Sequence, residues 1–123
     1  MSSNITIRHA EVMLPSDKQR VDVCVQDGLI HAIGRNLPEN GEVIDADGLV
    51  LMPGIIDPQV HFREPGDTHK EDLHSGSCAA AVGGVTSFLD MPNNHPPITD
   101  RIRLQEKREL ASNKCLVNYG FFI

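Results

Sequence analysis

The spacing of hydrophobic and polar residues changes near residue 53 of the chain. Before that point, Val21, Val23 and Val25 alternate with polar neighbours, and Asp27-Gly28 follows them as a turn signal before a second apolar run. This pattern predicts a β-hairpin. Residues 4–13 form a further mixed β-type run, and the run around Asp47-Gly48 repeats the hairpin pattern. The first 52 residues therefore predict a set of short strands.

After Pro53 the pattern is typical of alternating strands and helices. Three apolar runs occupy 54–62, 85–91 and 115–123, and their starts are roughly 30 residues apart, which is the length of a strand-plus-helix unit. The runs at 85–91 and 115–123 are nearly continuous, so we expect parallel strands there that are buried on both faces.

The segments between these runs predict two helices. Thr68 and Glu71 match a capping box, and the small residues that follow predict a helix through about Val82, with Gly83-Gly84 as its end. Thr99 or Asp100 is a suitable N-cap for a second helix over 99–112. Its apolar periodicity is weak, so we expect it at the periphery. The second half is therefore predicted to be βαβαβ.

Two architectures use this unit, the doubly wound sheet and the (β/α)8 barrel. The doubly wound alternative needs a glycine-rich turn after the first strand, whereas residues 63–72 contain one glycine and several charges. Barrel enzymes instead place polar groups at the carboxyl ends of several strands. Such groups end the first two predicted strands, with His61 and Arg63 on the first and Asp90, Asn93 and Asn94 on the second, and the third strand carries Asn118 and Tyr119. Since a barrel needs about 250 residues, we expect the 123 residues to be part of a longer protein.

Composition and charge narrow the class of protein. The chain is 40% hydrophobic and 23% charged, with a net charge of −6, which argues against nucleic-acid and anionic-membrane partners. The second helix is locally basic, but acidic residues are interleaved with its cations, and we expect these side chains on a solvated face: Arg101, Arg103, Lys107 and Arg108. The sequence has no signal peptide pattern, no membrane-length apolar run and three widely spaced cysteines. These features favour a cytoplasmic protein with reduced thiols.

Two motifs carry a resemblance to a known family. The segment MPGIIDPQVHFREPG at 52–66 resembles the first barrel strand of cyclic amidohydrolases, dihydroorotases in particular, whose pattern is D-x-H-x-H-x-R-E-P-G. The segment AAAVGGVTSFLDMPNN at 79–94 resembles a second block of that family, in which a small-residue helix leads through Gly-Gly-x-Thr into a strand and M-P-N. The similarity covers about residues 45–100, and the strands before it match the family's N-terminal β-sandwich segment.

The resemblance implies a composite α/β fold, with a β-sandwich segment over 1–52 and an incomplete TIM-like (β/α)8 barrel over 53–123. It also implies a zinc-dependent enzyme of pyrimidine biosynthesis, with one or two ions, that reversibly hydrolyses dihydroorotate to carbamoyl-aspartate. The implied partners are the small-molecule substrate, other copies of the protein in a homo-oligomer and, as a further candidate, a transcarbamoylase. Allantoinase and hydantoinase types remain alternatives.

The resemblance also assigns candidate site residues. His61 is the expected metal ligand, whereas Gln59 stands where the family pattern has its first His, and an amide oxygen is a weak zinc ligand beside an imidazole. Arg63 and Asn93 are expected to hold the substrate carboxylate, since a guanidinium fork matches a carboxylate. Asp57 either orients a neighbouring ligand or accepts backbone N–H groups.

The glutamine leaves two alternatives open. The whole protein is either a working dihydroorotase of a divergent branch, with His61 and later ligands holding the metal, or a non-catalytic dihydroorotase-like partner of another enzyme. The bridging lysine, two further histidines and the general-base aspartate of the family are expected on later strands. We therefore expect no catalytic residue within these 123 residues.

Overall fold

The structure is a computed structural model and describes residues 4–123, so the first three residues of the predicted 1–52 segment lie outside the described residues. The chain divides into two compact units between Pro53 and Gly54. The first unit is a β-sheet, and the second combines a parallel sheet with two helices. In the described part of the chain, no helix has the length and apolarity needed to cross a membrane.

The first unit contains five strands around a central one. They are β1 Ile5–Met13, β2 Lys18–Gln26, β3 Leu29–Gly34, β4 Glu42–Asp45 and β5 Val50–Leu51. The antiparallel hairpin of β2 and β3 is confirmed, and its turn residues have the positive φ angles (53° at Asp27 and 77° at Gly28) that a tight hairpin turn needs. β1 pairs with β2 on one side and with β4 and β5 on the other.

The second predicted hairpin, around Asp47-Gly48, is wrong. β4 and β5 do not pair with each other but run parallel to β1 at successive positions, Ile5–Arg8 and Glu11–Val12. The turn is real, because the N–H of Leu49 donates to the carbonyl of Ala46 and Gly48 has a φ of 76°. The turn carries the chain from residues 5–8 of β1 to residues 11–12 of the same strand. β1 has unpaired backbone groups on that side, and β5 binds to them and not to β4.

A β-bulge interrupts β1 at His9. Three residue steps on β1, from Ile7 to Ala10, face two steps on β2, and His9 has a φ of 60°. The buried Asp22 stabilises this bulge, since its carboxylate accepts the N–H of His9 at 3.0 Å and that of Leu37 at 3.1 Å. These hydrogen bonds, with that of His9 first, lower the pKa of Asp22. The core of this unit lies beside the bulge and consists of Ala10, Val12, Val21, Val23 and Ala46.

The second unit confirms the predicted βαβαβ order. Its elements are β6 Ile55–Val60, α1 Leu73–Val82, β7 Val85–Asp90, α2 Arg101–Lys114 and β8 Asn118–Phe121. β7 lies between β6 and β8, and both pairings are parallel. Because the strands are parallel, all three carboxyl ends lie at one edge of the sheet.

The helix starts were only partly predicted. Asp100 caps α2 and accepts the N–H of Arg103 at 2.9 Å, as expected. The Thr68–Glu71 capping box is wrong, because α1 begins later, with Asp72 as N-cap and Ser75 as its capping-box partner. Residues 66–70 instead form tight turns, with the N–H of Thr68 donating to Gly66 and that of Lys70 to Asp67. These turns use the backbone groups that a helix from Thr68 would need.

Burial in the sheet differs from the prediction of strands covered on both faces. Only Phe88 and Asp90 of β7 are buried, and no residue of β8 is buried, with Tyr119 37% exposed. β6 and β8 are the two edges of a three-stranded sheet, and an edge strand has a neighbour on one side only. The core here is formed by Leu73, Phe88 and Ala111, with Phe62 and Phe121 among the residues packed against it.

Candidate functional site

Two loops meet where β6 and β7 end. The loop after β6 carries His61 and Arg63, and the loop after β7 carries Asn93 and Asn94. His61 Nδ1 lies 2.9 Å from Asn93 Oδ1, and both residues are exposed. The structure therefore brings together two of the predicted site residues that are 32 positions apart in the sequence. The parallel order of the strands causes this, since it places both loops at the same edge of the sheet.

The backbone of the first loop is fixed by side chains from the second strand and its loop. Asp90 Oδ1 accepts the N–H of Phe62 at 3.0 Å. The Asn94 amide donates to the carbonyls of Phe62, at 3.3 Å, and Glu64, at 3.0 Å. These contacts lie directly after His61 and on both sides of Arg63, so the backbone that carries the two side chains has little freedom to shift.

A buried lysine of α2 completes this arrangement. Lys107 Nζ lies 2.8 Å from Asp90 Oδ2 and 2.7 Å from Asn94 Oδ1, and it sits 4.8 Å from the centroid of the Phe121 ring. Lys107 and Asp90 have no exposed surface, and Asn94 is 5% exposed. Burial raises the pKa of Asp90, and the Lys107 ammonium opposes that rise. The prediction of a solvated Lys107 is therefore wrong. The prediction of a peripheral second helix is also wrong for the face of α2 that carries Lys107.

Glu64 ties the same loop to both helices. Its Oε2 accepts the N–H of Leu73, the first residue of α1, at 3.0 Å, and its Oε1 pairs with the ammonium of Lys114 at the end of α2. The carboxylate pairing raises the pKa of Lys114. An acid at a helix N-terminus satisfies a backbone donor that has no partner inside the helix. The Arg-Glu-Pro-Gly turn thus contributes a structural carboxylate beside the predicted binding arginine.

Arg63 remains available for a ligand. The neighbouring acid Glu64 binds Lys114 and not Arg63. Within residues 4–123, Arg63 makes no hydrogen bond and no ion pair, and it is half-buried. A half-buried guanidinium without a carboxylate partner is suited to an anion supplied from outside the chain.

Gln59 and Asp57 precede the site on β6. Asp57 Oδ1 accepts the N–H of Gln59 at 3.0 Å, which favours the structural alternative for this aspartate. Pro58 lies between them, and the pairing with β7 shifts there, since three steps from Asp57 to Val60 face two steps on β7. Proline cannot donate to a neighbouring strand, and bulges form at such positions. The regular alternation of side chains along β6 is therefore interrupted between Asp57 and Val60.

The donor set tests whether these residues suit a metal ion. Hydrogen bonding of His61 Nδ1 to the Asn93 carbonyl oxygen implies that Nδ1 carries the proton, which leaves Nε2 as the nitrogen able to bind a metal. The Gln59 side chain is exposed and makes no hydrogen bond to a described residue. In the described part of the chain, no three His, Cys, Asp or Glu side chains come together as a metal cluster. The residues present fit one position of a metal site.

The outer turn of the first loop is held against the second loop. Gly66 has a φ of 112°, and a Cβ there would lie 2.5 Å from the carbonyl oxygen of His95, so no larger residue fits. The Asp67 carboxylate contacts Lys70 and His95, and the hydrogen bond from Lys70 is the main cause of its lowered pKa. The Pro-Gly turn therefore needs its glycine for close approach of the two loops.

Sequence reasoning missed the role of Lys107 and gave Asp90 and Asn94 no partner. One signal was present in the sequence of α2. Leu104, Lys107, Ala111 and Lys114 follow one another at helical spacing, so they share one face of the helix. Ala111 is fully buried, which makes this the inward face, and each of its two lysines meets an acid of the second unit. A lysine within an inward-facing stripe was the available indication of a buried ion pair.

Comparison with known proteins adds family information to this geometry. Residues 50–123 match the model of the amidohydrolase family. A dihydroorotase of Streptococcus pneumoniae is 47% identical over 113 residues, and an allantoinase of Salmonella choleraesuis is 40% identical over 119 residues. These alignments cover 89% and 96% of this chain, but only 27% and 26% of the two relatives. The chain thus spans about a quarter of the length of the curated relatives it matches.

The solved structures agree with the sequence matches. The L-hydantoinase (dihydropyrimidinase) of Arthrobacter aurescens has a TM-score of 0.87 and 28% sequence identity to this chain. The match covers 98% of this chain and 27% of the hydantoinase. The similarity in fold therefore extends over both units.

Proposed function

Because the chain belongs to the amidohydrolase family, we propose that the protein containing it is a metal-dependent hydrolase of a cyclic amide, with dihydroorotate as its substrate. The observation that carries the proposal is the contact between His61 and Asn93, with Arg63 two residues after His61 and unpaired among the described residues. An imidazole, an amide and a guanidinium are then carried by the loops that follow the carboxyl ends of two parallel strands, β6 and β7. In this proposal β6, β7 and β8 are the first strands of a (β/α)8 barrel, whose enzymes use that edge.

The preference for dihydroorotate depends on Arg63. Dihydroorotate carries a ring carboxylate, and a guanidinium binds a carboxylate through two parallel hydrogen bonds. Since the structure gives Arg63 no carboxylate partner within residues 4–123, the proposed role of this residue is to bind the substrate carboxylate. Asn93 is proposed to add an amide donor, since its Oδ1 faces His61 and its Nδ2 makes no hydrogen bond to a described residue.

His61 is the proposed metal ligand of this chain, through Nε2. When bound, a divalent metal supplies a polarised carbonyl and a hydroxide at neutral pH, which is what amide hydrolysis requires. The role of Asn93 toward His61 is to fix which ring nitrogen keeps the proton. Gln59 contributes at most a weak amide oxygen, so the other ligands are proposed to come from outside this chain.

Substrate profiling of the whole protein tests the proposal. We expect turnover of dihydroorotate, and little of allantoin or hydantoin, which lack the carboxylate. Arg63→Ala should lower kcat/KM for dihydroorotate by about 10- to 150-fold, the range expected for one charge-assisted hydrogen-bonded pair. Arg101→Ala, which removes an exposed cation of α2, is the matched control and should leave kcat/KM unchanged. A wild-type protein that prefers allantoin would contradict the dihydroorotate assignment and favour the allantoinase alternative, which the 40% identity to an allantoinase supports.

Metal analysis separates an enzyme from a non-catalytic relative. We expect stoichiometric zinc in the whole protein, and loss of both zinc and turnover in His61→Ala. Gln59→His should increase zinc affinity if the residue lies near the ion, because an imidazole is the stronger ligand. A protein that binds no zinc and hydrolyses none of the three rings would instead support the non-catalytic partner, and co-purification with a transcarbamoylase would then be the next measurement.

A further inference from the structure

We propose that the buried Lys107 of α2 is a positioning residue for the site, holding the two loops in register through Asn94 and Asp90. The inference depends on the proposed function only for its kinetic readout. It concerns a residue that touches none of the predicted ligand-binding side chains. Its ammonium instead contacts the two side chains, Asp90 and Asn94, that hold the backbone directly after His61 and on both sides of Arg63.

The geometry connects the lysine to the site in two steps. Lys107 Nζ donates to Asn94 Oδ1 at 2.7 Å, which orients the Asn94 amide so that its Nδ2 donates to the carbonyls of Phe62 and Glu64. The same ammonium lies 2.8 Å from Asp90 Oδ2, while Asp90 Oδ1 accepts the N–H of Phe62. Phe62 therefore has both its N–H and its carbonyl held by groups that bind Lys107.

Asn94 also determines where Asn93 lies. The two residues are adjacent, and the side chain of Asn93 is the partner of His61 at 2.9 Å. A change in Asn94 would move both ends of the His61–Asn93 contact, since it binds the loop after β6 and belongs to the loop after β7. The lysine thus acts on the site through backbone placement.

Stability alone is a weak explanation for this ion pair. Removing an ammonium and a carboxylate from water is costly, and apolar residues of the same volume are often at least as stabilising. Lys107 and Asp90 are nonetheless completely buried, against the ring of Phe121. What a hydrophobic pair could not supply is the directed hydrogen bonding that orients Asn94 and Phe62.

Two variants of the whole protein separate positioning from stability. Lys107→Met removes the ammonium but leaves the Asp90 carboxylate buried. Lys107→Met combined with Asp90→Asn removes both charges, and the asparagine retains an oxygen that can accept the N–H of Phe62. We expect the single variant to melt at a lower temperature and the double variant to recover most of that loss. Arg108→Met, an exposed neighbour on the same helix, is the control for loss of a cation and should behave as wild type.

The positioning role predicts that stability and substrate binding separate in the double variant. KM for dihydroorotate should rise about tenfold in both Lys107 variants, at the lower end of the range for one lost charge-assisted hydrogen bond, with kcat changed by less than about threefold. Return of wild-type KM together with the melting temperature in the double variant would show that the lysine is only structural and would overturn the inference.

A second readout does not depend on activity. Proton–nitrogen correlation spectra of the metal-free, histidine-labelled protein report whether His61 Nδ1 carries a proton, as its bond to Asn93 implies. The inference predicts a protonated Nδ1 in wild type and in Arg108→Met, and its loss in the stable double variant. If wild type turns over no ring substrate, the proposed function fails while this readout still decides the role of Lys107. An unchanged His61 signal in the double variant, or no such signal in wild type, contradicts it.

Discussion

The buried ion pair between Lys107 and Asp90 makes the stability of a Lys107→Met variant depend on pH in a defined direction. Removing one partner of a buried pair costs about 3–5 kcal/mol when the other stays charged. Asp90 can avoid that cost by taking up a proton, because burial already raises its pKa above the ordinary value of 3.8 and Lys107 is the group that opposes the rise. The variant should therefore hold a proton on Asp90 where wild type does not.

The sign follows from the proton balance. Above pH 3.8 the unfolded chain releases the Asp90 proton, while the folded variant retains it. Folding then takes up a proton, and stability falls by about 1.4 kcal/mol for each pH unit over that range. The stability of wild type falls less with pH, because the Lys107 ammonium opposes the rise in the pKa of Asp90. The deficit of the variant should be about 0–1 kcal/mol near pH 4 and reach about 3–5 kcal/mol near pH 7.

Urea unfolding at pH 5, 6 and 7 measures this deficit. Glu64 and its partner Lys114 are unchanged in every variant, so they contribute equally to each curve. The charge-neutral double variant, Lys107→Met with Asp90→Asn, has no carboxylate at position 90 and should show no growth of its deficit with pH. A single variant whose deficit is constant, or shrinks, between pH 5 and pH 7 would refute the reasoning.

Three further predictions concern the second unit. Gly76→Ala places a Cβ 2.6 Å from the Phe62 ring. Overpacking costs about 1–3 kcal/mol, which exceeds the gain in helix propensity of about 1 kcal/mol. The urea concentration at the unfolding midpoint should therefore fall, and it should partly recover when Phe62→Leu is added. Burial raises the pKa of Cys115 to about 11, so less than about 1% is thiolate at pH 8, and mass spectrometry should find it unlabelled by iodoacetamide there; ready labelling would contradict its burial. Asp72→Ala should lower the free energy of unfolding by about 1 kcal/mol, because it removes the N-cap of α1. Thr68→Ala should leave it almost unchanged. A larger loss in Thr68→Ala than in Asp72→Ala would instead support a helix that starts at Thr68.

Local sequence determined the elements of this protein well. The apolar runs and their spacing of roughly 30 residues identified the three strands of the second unit, and the capping and helix-forming residues between the runs identified its two helices. The Asp27-Gly28 turn was equally clear, since positive φ angles restrict the residues that a tight hairpin accepts. The motifs also identified the family, and they placed His61 and Asn93 at strand ends that do meet.

Tertiary structure decided the features that depend on distant partners. The Asp47-Gly48 turn has the residues typical of a hairpin, but β5 pairs with β1. Which strand has an unpaired edge depends on the order of strands in the sheet, and the turn residues do not determine that order. Helix α1 starts at Leu73, after the Asp72 N-cap, and Glu64, nine positions earlier, accepts its first N–H. Lys107 is buried because Asp90 and Asn94 lie opposite it and bind its ammonium. These partners are distant in the sequence, so the sequence of α2 alone does not determine that the lysine is buried.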